Sequence, residues 1–319
     1  MTKKRLIFLG FLLAVVPAWA AFDGGVTSPI LSYNLGARAY GMGGAFTALA
    51  EDTTAVFWNP AGLSRVYRQE VNLYYEQLFQ DVSYFFGGYS YPIWNLGVAS
   101  ASFMYMGTRF KAYDADLAPI GAGGEMNAYL YVINLAFAQK MSFYQKYFYY
   151  MKYFDAGANL KLFGSGFTES SRLGVGLDLG IRYYPHHFNS EKLAFLKNLV
   201  VGLKLNNLVP PTVKYGTTRD WYLWDLNLGF LYRTLYDSMN ITLDLSQTLF
   251  KKRMIRPRVG LEYKVYKSFT VRAGYNGELT AGAGFGLEDF SFDYAFGYNF
   301  DLGAVHHISA SYQFGEIVP

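Results

Sequence analysis

The chain of 319 residues contains no cysteine, which excludes a disulfide scaffold and any thiolate metal site while leaving the compartment open. Charge is scarce as well. Asp, Glu, Lys and Arg make up 16% of the sequence, with no polybasic tract or basic aromatic surface of the kind that binds nucleic acid. Beyond the N-terminus no apolar run approaches the roughly 20 residues that a helical membrane span requires. If this chain crosses a membrane it must do so as a closed β-barrel, the other architecture that satisfies every backbone amide in lipid.

Aromatics and glycine are what the sequence has in excess. It holds 33 Gly, 29 Tyr and 27 Phe, with 52% hydrophobic and 19% aromatic residues, a load that suits a barrel with interfacial girdles better than a soluble domain. Length alone would allow two soluble domains, but large β-architectures commonly run this long as one unit. Lys3, Lys4 and Arg5 precede an apolar run from Leu6 to Val16 and the small-x-small site Ala18-Trp19-Ala20. A basic start, a short apolar core and such a site read as a secretory signal, residues 1–20. Its removal lowers the formal charge from +4 to +1, so the apparent basicity belongs mostly to the leader.

Strict alternation runs through the second half. Leu173, Val175, Leu177, Leu179, Ile181 and Tyr183 alternate with Gly174, Gly176, Asp178, Gly180 and Arg182, a period of two with one greasy face. Tyr222 to Tyr232, Ile241 to Leu245 and Phe290 to Tyr298 repeat the pattern. The spacing predicts about fourteen strands: 71–78, 82–91, 96–105, 127–140, 154–163, 173–184, 199–208, 222–233, 241–249, 258–265, 269–275, 280–287, 290–298 and 306–314. An even count is what bacterial single-chain barrels require. The polar faces decide between barrel and soluble sandwich. They are rich in Gly with scattered Asp, Asn, Arg and Lys, which fits a narrow lumen with room for a plug; charges toward lipid would cost about 2 to 4 kcal/mol each near the midplane.

Turns at Tyr266-Lys267-Ser268 and Glu288-Asp289 set which connections lie at the short-turn end, leaving 107–126, 164–172, 209–221, 250–257 and 299–305 as outer connections. Two inner connections are too long for plain turns, 141–153 and 185–198. The first carries Phe143, Tyr144, Tyr147, Phe148, Tyr149 and Tyr150 among lysines. It reads as an amphipathic rim in the lipid headgroups, with a partner-docking loop as the alternative. The last strand alternates through Ile308, Ala310, Tyr312 and Phe314, and a tail, 315–319, follows.

The segment 21–69 is irregular. Gly36, Gly41, Gly43, Gly44 and Gly62 punctuate it, the run from Ala45 to Ala50 favours a short helix, and Pro60 denies the amide a continuing helix would need. It reads as a plug, or hatch, folded against the inside of the barrel that spans 70–314. The fold class is therefore all-β: a transmembrane antiparallel barrel of about 14 strands with an N-terminal plug containing a short helix.

The stretch GARAYGMGGAF, followed by Glu51-Asp52 and VFWNPAGL, resembles the N-terminal signature of the long-chain fatty-acid transporters (FadL-type) and of PorV/PorQ-type outer-membrane proteins. The segment 206–211 and the runs RVGLEYKVYKSFTVRAGYN, GAGFGLEDFSFDYAF and HHISASYQF are similar to the C-terminal half of PorV/PorQ-type chains, and the modest length favours that branch. The FadL-type resemblance implies passage of a hydrophobic small molecule or fatty acid across the bacterial outer membrane. Arg38 is then a candidate headgroup partner, Phe57, Trp58 and Leu63 are candidate apolar lining, and Asn59, Pro60, Ala61 and Gly62 mark where a path would open; hatch packing is the plainer alternative for each. The PorV resemblance implies a non-enzymatic component of type IX secretion that docks or shuttles secreted cargo. A purely structural barrel is a third reading.

No catalytic constellation stands out. Gly41, Gly43 and Gly44 lack the Lys-Ser/Thr of a phosphate-binding loop and follow no apolar strand, so backbone packing is their reading. The histidines come in pairs, His186-His187 and His306-His307. Neighbours on a strand face opposite ways, so the second pair cannot share a metal or substrate, and both pairs read as solvated or interfacial. Ser309 and Ser311 beside His307 make poor triad geometry. The expectation is no enzyme, no cofactor and no metal, with outer-membrane lipids as the surroundings.

Overall fold

A computed structural model describes residues 34–78, 82–111, 125–167, 170–185, 191–210, 212–215, 218–221, 224–235, 237–249, 255–299 and 303–318. The signal 1–20 and the pair His186-His187 lie outside the described residues. Fourteen strands form a closed antiparallel barrel: β1 (Gln69–Gln77), β2 (Ser83–Ile93), β3 (Gly97–Lys111), β4 (Glu125–Lys140), β5 (Phe154–Phe167), β6 (Ser170–Tyr183), β7 (Leu199–Val209), β10 (Asp225–Thr234), β11 (Met239–Thr248), β12 (Arg256–Tyr266), β13 (Phe269–Tyr275), β14 (Leu279–Leu287), β15 (Phe290–Asn299) and β16 (Gly303–Phe314). A separate hairpin, β8 (Thr212–Tyr215) with β9 (Thr218–Trp221), sits between β7 and β10. The first strand closes on the last, from Gln69 opposite Phe314 to Glu76 opposite His307.

Alternation sorts the wall. On β6, Leu173, Val175, Leu179 and Ile181 lie exposed on the outside while Asp178 and Arg182 are buried inside. On β15, Phe290, Phe292, Tyr294 and Tyr298 face out. A continuous apolar exterior of this size has no place in water, and closure leaves no unpaired strand edge. Among the described residues no helix is long and apolar enough to cross a membrane.

Inside sits the plug. It consists of α1 (Ala37–Gly41), α2 (Ala55–Trp58) and a 3-10 turn, Pro60–Arg65. The helix expected from Ala45 to Ala50 is absent: the chain there forms turns, with the amides of Phe46 and Thr47 donating to the wall carboxylate of Asp244 at 3.0 and 2.8 Å and the Thr47 carbonyl accepting from Asn59 Nδ2 at 3.0 Å. The Thr47 carbonyl is thereby taken by a side chain instead of a helical amide, and a stretch this short is not held helical by alanine preference alone. Gly43 and Gly44, at φ 64° and 70°, take the left-handed bend that leads into this stretch. Only Val66, Tyr67 and Arg68 separate the plug from β1. This link is itself tied down: Val318 N donates to the Tyr67 carbonyl at 2.7 Å, and Arg68 pairs with Asp289 at 2.6 Å.

The lumenal glycines are where plug backbone meets wall. A methyl at Gly274 would lie 2.0 Å from the Gly43 nitrogen, one at Gly157 2.4 Å from the Pro60 carbonyl carbon, and one at Gly202 2.6 Å from the Thr47 oxygen. Small inward residues thus provide the volume the plug occupies.

Several boundaries differ from the sequence reading. Strands β3 and β4 run to Lys111 and from Glu125, and β5 and β6 to Phe167 and from Ser170, so much of the expected outer connections 107–126 and 164–172 is paired strand. The ladder persists after the apolar alternation fades, with Arg109 opposite Asn127. The hairpin β8–β9 occupies part of the expected loop 209–221, and the following strand starts at Asp225 rather than 222. The inner connections contain 3-10 turns, Met141–Tyr144, Tyr149–Tyr153 and Glu191–Asn198. The β6–β7 register slips: Leu177 pairs with Val209 but Leu179 with Leu205.

If close approach is what the lumenal glycines supply, Gly274→Ala should cost about 1 to 3 kcal/mol by overpacking. Protease should then cleave the plug of the folded, unheated protein. Gly286→Ala is the control, since its nearest neighbour is 4.0 Å away; equal plug protection in the two variants would contradict the account.

Candidate functional site

The site is built where the plug meets the wall, and three clusters of charge fasten it. Arg38 on α1 forks onto Glu262 of β12 with two bonds of 2.9 Å and reaches Asp52 at 3.4 Å. Glu262 also receives Arg272 at 2.8 Å and Asn240 at 2.9 Å, and Arg272 continues to Asp293 at 2.7 Å. On the other side Glu51 takes Arg182 at 2.7 Å and Arg233 at 2.6 Å. Arg65 holds Asp155 at 2.8 Å and lies over the Tyr184 ring. Burial by itself would raise the Glu51 carboxyl; the two guanidinium groups outweigh it and hold it at about 2, below the ordinary 4.5. The Arg38 charge is thus committed to carboxylates, and it is no free headgroup partner.

The Asn59-Pro60-Ala61-Gly62 motif knots two plug turns to the barrel. Asn59 Nδ2 donates to the Thr47 carbonyl at 3.0 Å and to the Ile181 carbonyl of β6 at 3.3 Å, while its Oδ1 accepts from Ala61 N at 3.2 Å. Pro60 starts the 3-10 turn, where its missing amide costs nothing. A methyl at Gly62 would meet the Ala50 oxygen at 2.0 Å. Gly41 packs against Gly282 of β14. These residues are structural clamps between plug and wall.

Phe57 and Trp58 do something more. Trp58 donates Nε1 to the Leu35 carbonyl at 2.9 Å and meets the Phe57 ring edge-on, at 5.1 Å between centroids. Both rings line a small cavity of about 70 Å³, room for a few water molecules. Met104 joins them, while Asn134, Asn159, Lys161, Asp178, Lys204 and Asn207 form a polar side. Leu63 is fully buried in the plug core and does not line this pocket.

Sequence reasoning missed that polar side. Lys161 pairs with Asp178 at 2.6 Å, and Lys204 bridges Asp178, at 3.7 Å, and the carbonyl of Phe57. Asp178 also accepts from the Asn207 amide at 2.8 Å, filling the place of a ladder bond where the β6–β7 register slips. The Asn159 Oδ1 is buried without a partner. The available signal was inward parity on consecutive strands, which places a Lys and an Asp on one lumenal face.

His307 departs from the solvated reading. Its ring stacks on Tyr40 of α1 at 3.5 Å between centroids, and its Nδ1 lies 2.6 Å from the Tyr74 hydroxyl. His306 stays exposed and faces Tyr294. Position 307 has lumenal parity, and α1 caps it. On the rim, Tyr147, Phe148, Tyr149 and Tyr150 are 62 to 76% exposed, and Phe143 and Tyr144 about two-fifths so.

The class this fold defines is the closed fourteen-stranded antiparallel barrel with an N-terminal plug inside it. No family model matches the chain, and no curated protein matches it. Among solved structures it is similar to the TodX monoaromatic hydrocarbon channel in its deltaS2 mutant form, at 12% identity over 90% of this chain and 100% of that one, with a TM-score of 0.63. The CymD monoaromatic hydrocarbon channel matches at 11% identity over 88% and 98%, TM-score 0.62. A Pseudomonas aeruginosa FadL homologue matches at 12% over 88% and 98%, TM-score 0.59. At such identities the likeness is one of fold.

Replacing Glu262 by Gln leaves Arg38 and Arg272 short of a counter-charge and should cost about 3 to 5 kcal/mol, read as plug proteolysis at lower denaturant. Because the Glu51 carboxyl is held low, its pairing contributes fully above pH 4.5 and is lost as pH falls toward 2. Plug protection should therefore weaken across that window. Glu51→Gln should remove that part of the pH dependence, a modest part since the side chain keeps 28% exposure. An unchanged pH profile would count against the clamp.

Proposed function

We propose that this chain is an outer-membrane channel for hydrophobic compounds that carry a polar, hydrogen-bond-accepting group, closed at rest by its plug. The observation that carries the reading is the pocket against the plug: Phe57, Trp58 and Met104 on one side, and amides with Lys161, Lys204, Arg256, Arg258, Asp178 and Asp225 around the rest. At about 70 Å³ the closed pocket holds a ligand's polar head beside three apolar side chains, and the body of the ligand needs the plug to give way. The FadL-like fold supports the same reading, as does the greasy exterior.

Lys204 supplies the link from ligand to gate. Its ammonium is shared between Asp178 and the Phe57 carbonyl at the end of α2. A ligand head that accepts from Lys204 competes with that carbonyl and frees α2. The adjoining Asn59–Gly62 turn, tied to Thr47 and Ile181 through Asn59, is the segment that must then rearrange. The ligand shifts the plug only by as much as it prefers the open arrangement.

Cells expressing the protein should take up a hydrophobic fluorescent probe bearing a carboxyl or carbonyl faster than cells without it. Lys204→Met should lower the rate about tenfold, the equivalent of one charged hydrogen bond, whereas Asn59→Ala, which unties the turn that must rearrange, should raise it. Uptake equal to that of cells lacking the protein would sink the reading. Secreted proteins co-purifying with a barrel that takes up no probe would favour the PorV-like secretion role implied by the sequence resemblance.

A further inference from the structure

We propose that the connection between β4 and β5 is a lipid-docking shelf, seated in the headgroup layer of the leaflet at the short-turn end of the barrel and selective for anionic phospholipid. From Lys140 to Phe154 it carries Lys140, Lys146 and Lys152 and no acidic residue, interleaved with eight aromatics. A stretch so composed has charge complementary to an anionic leaflet, and an interfacial aromatic belt is where Tyr and Phe are stabilised.

The shelf is stitched to the wall in one arrangement. Tyr153 is buried, its carbonyl accepts from Tyr184 N at 2.9 Å, and the hydroxyl of Tyr144 donates to Gln139 at 3.2 Å. The Lys152 ammonium sits 3.9 Å from the centre of the Tyr149 ring, and Tyr149 meets Tyr150 and Tyr153 edge-on. Held this way, Tyr147, Phe148, Tyr149 and Tyr150 stay more exposed than the outward aromatics of β15. The shelf is also continuous with the apolar wall. Phe154, the first residue of β5, stacks on Tyr183 at 4.7 Å, and Leu160 and Leu162 follow it on the outer face. Lysines at such a surface gain roughly fivefold in partitioning each from an anionic leaflet.

The proposal rests on the membrane reading of the barrel, and the test separates the two. Because the chain has no cysteine, one introduced thiol carries a unique spin label. Gln145→Cys places it on the shelf without removing an aromatic, Leu160→Cys on the wall, and Lys267→Cys in a short turn at the same end. The labelled proteins go into nanodiscs of phosphatidylcholine with and without phosphatidylglycerol, and relaxation by oxygen is compared with relaxation by a water-soluble nickel chelate. The label at 145 should fall between the lipid-like 160 and the water-like 267, and move toward lipid when phosphatidylglycerol is present. Lys146→Gln with Lys152→Gln should abolish that movement. If 160 is not lipid-like, the membrane reading itself fails. If 160 is lipid-like while 145 matches 267 in both bilayers, or 145 ignores phosphatidylglycerol, the shelf proposal is overturned. Protection of 145 only when envelope proteins are added would overturn it in favour of a protein partner.

Discussion

Wall carboxylates that accept from plug backbone are the contacts on which the molecule turns. Lipid leaves no unpaired amide tolerable, so the strands close; closure then creates an interior that must itself be filled with satisfied polar groups. Asp244 takes the Phe46 and Thr47 amides, Glu70 takes Thr53 N at 2.8 Å, and Ser309 takes Ala37 N at 2.8 Å. These acceptors decide the local conformation of the plug, which has too little regular structure to stand alone. Guanidinium groups follow, and they neutralise carboxylates that would otherwise be buried without a counter-charge.

Much of the barrel was legible because one side of each strand had to be greasy and the other had not. Strand β6 announces itself through six apolar odd positions, and each of the fourteen expected strands overlaps one wall strand, though several ends are displaced. What alternation cannot reveal is a strand beyond the apolar zone. The far ends of β3 and β4, with Thr108, Arg109 and Lys111, pair through backbone alone and resemble loop in composition. The plug was legible as an irregular element but not in its conformation. Ala45 to Ala50 has the composition of a helix, but its turns are held by distant partners, Asp244 on its amides and Asn59 on the Thr47 carbonyl.

The site was legible in part for the same reason. Phe57 and Trp58 were singled out and do line the pocket, yet Lys161, Asp178 and Lys204 come from three strands and converge only when the wall curves. Arg38 looked available because its partner, Glu262, stands 224 positions away. His307 shows how parity could have been pressed further: Ile308 outward fixes 307 inward, and inward positions here meet the plug.

The link of three residues between Arg65 and Gln69 limits what kind of door the plug can be. Fully stretched, three residues reach about 10 Å, and this link is also moored to the C-terminal tail through Tyr67 and Arg68. A stopper on so short a leash does not swing clear of the pore. The proposed passage would then use gaps opened within the lumen, with the anchored end standing still.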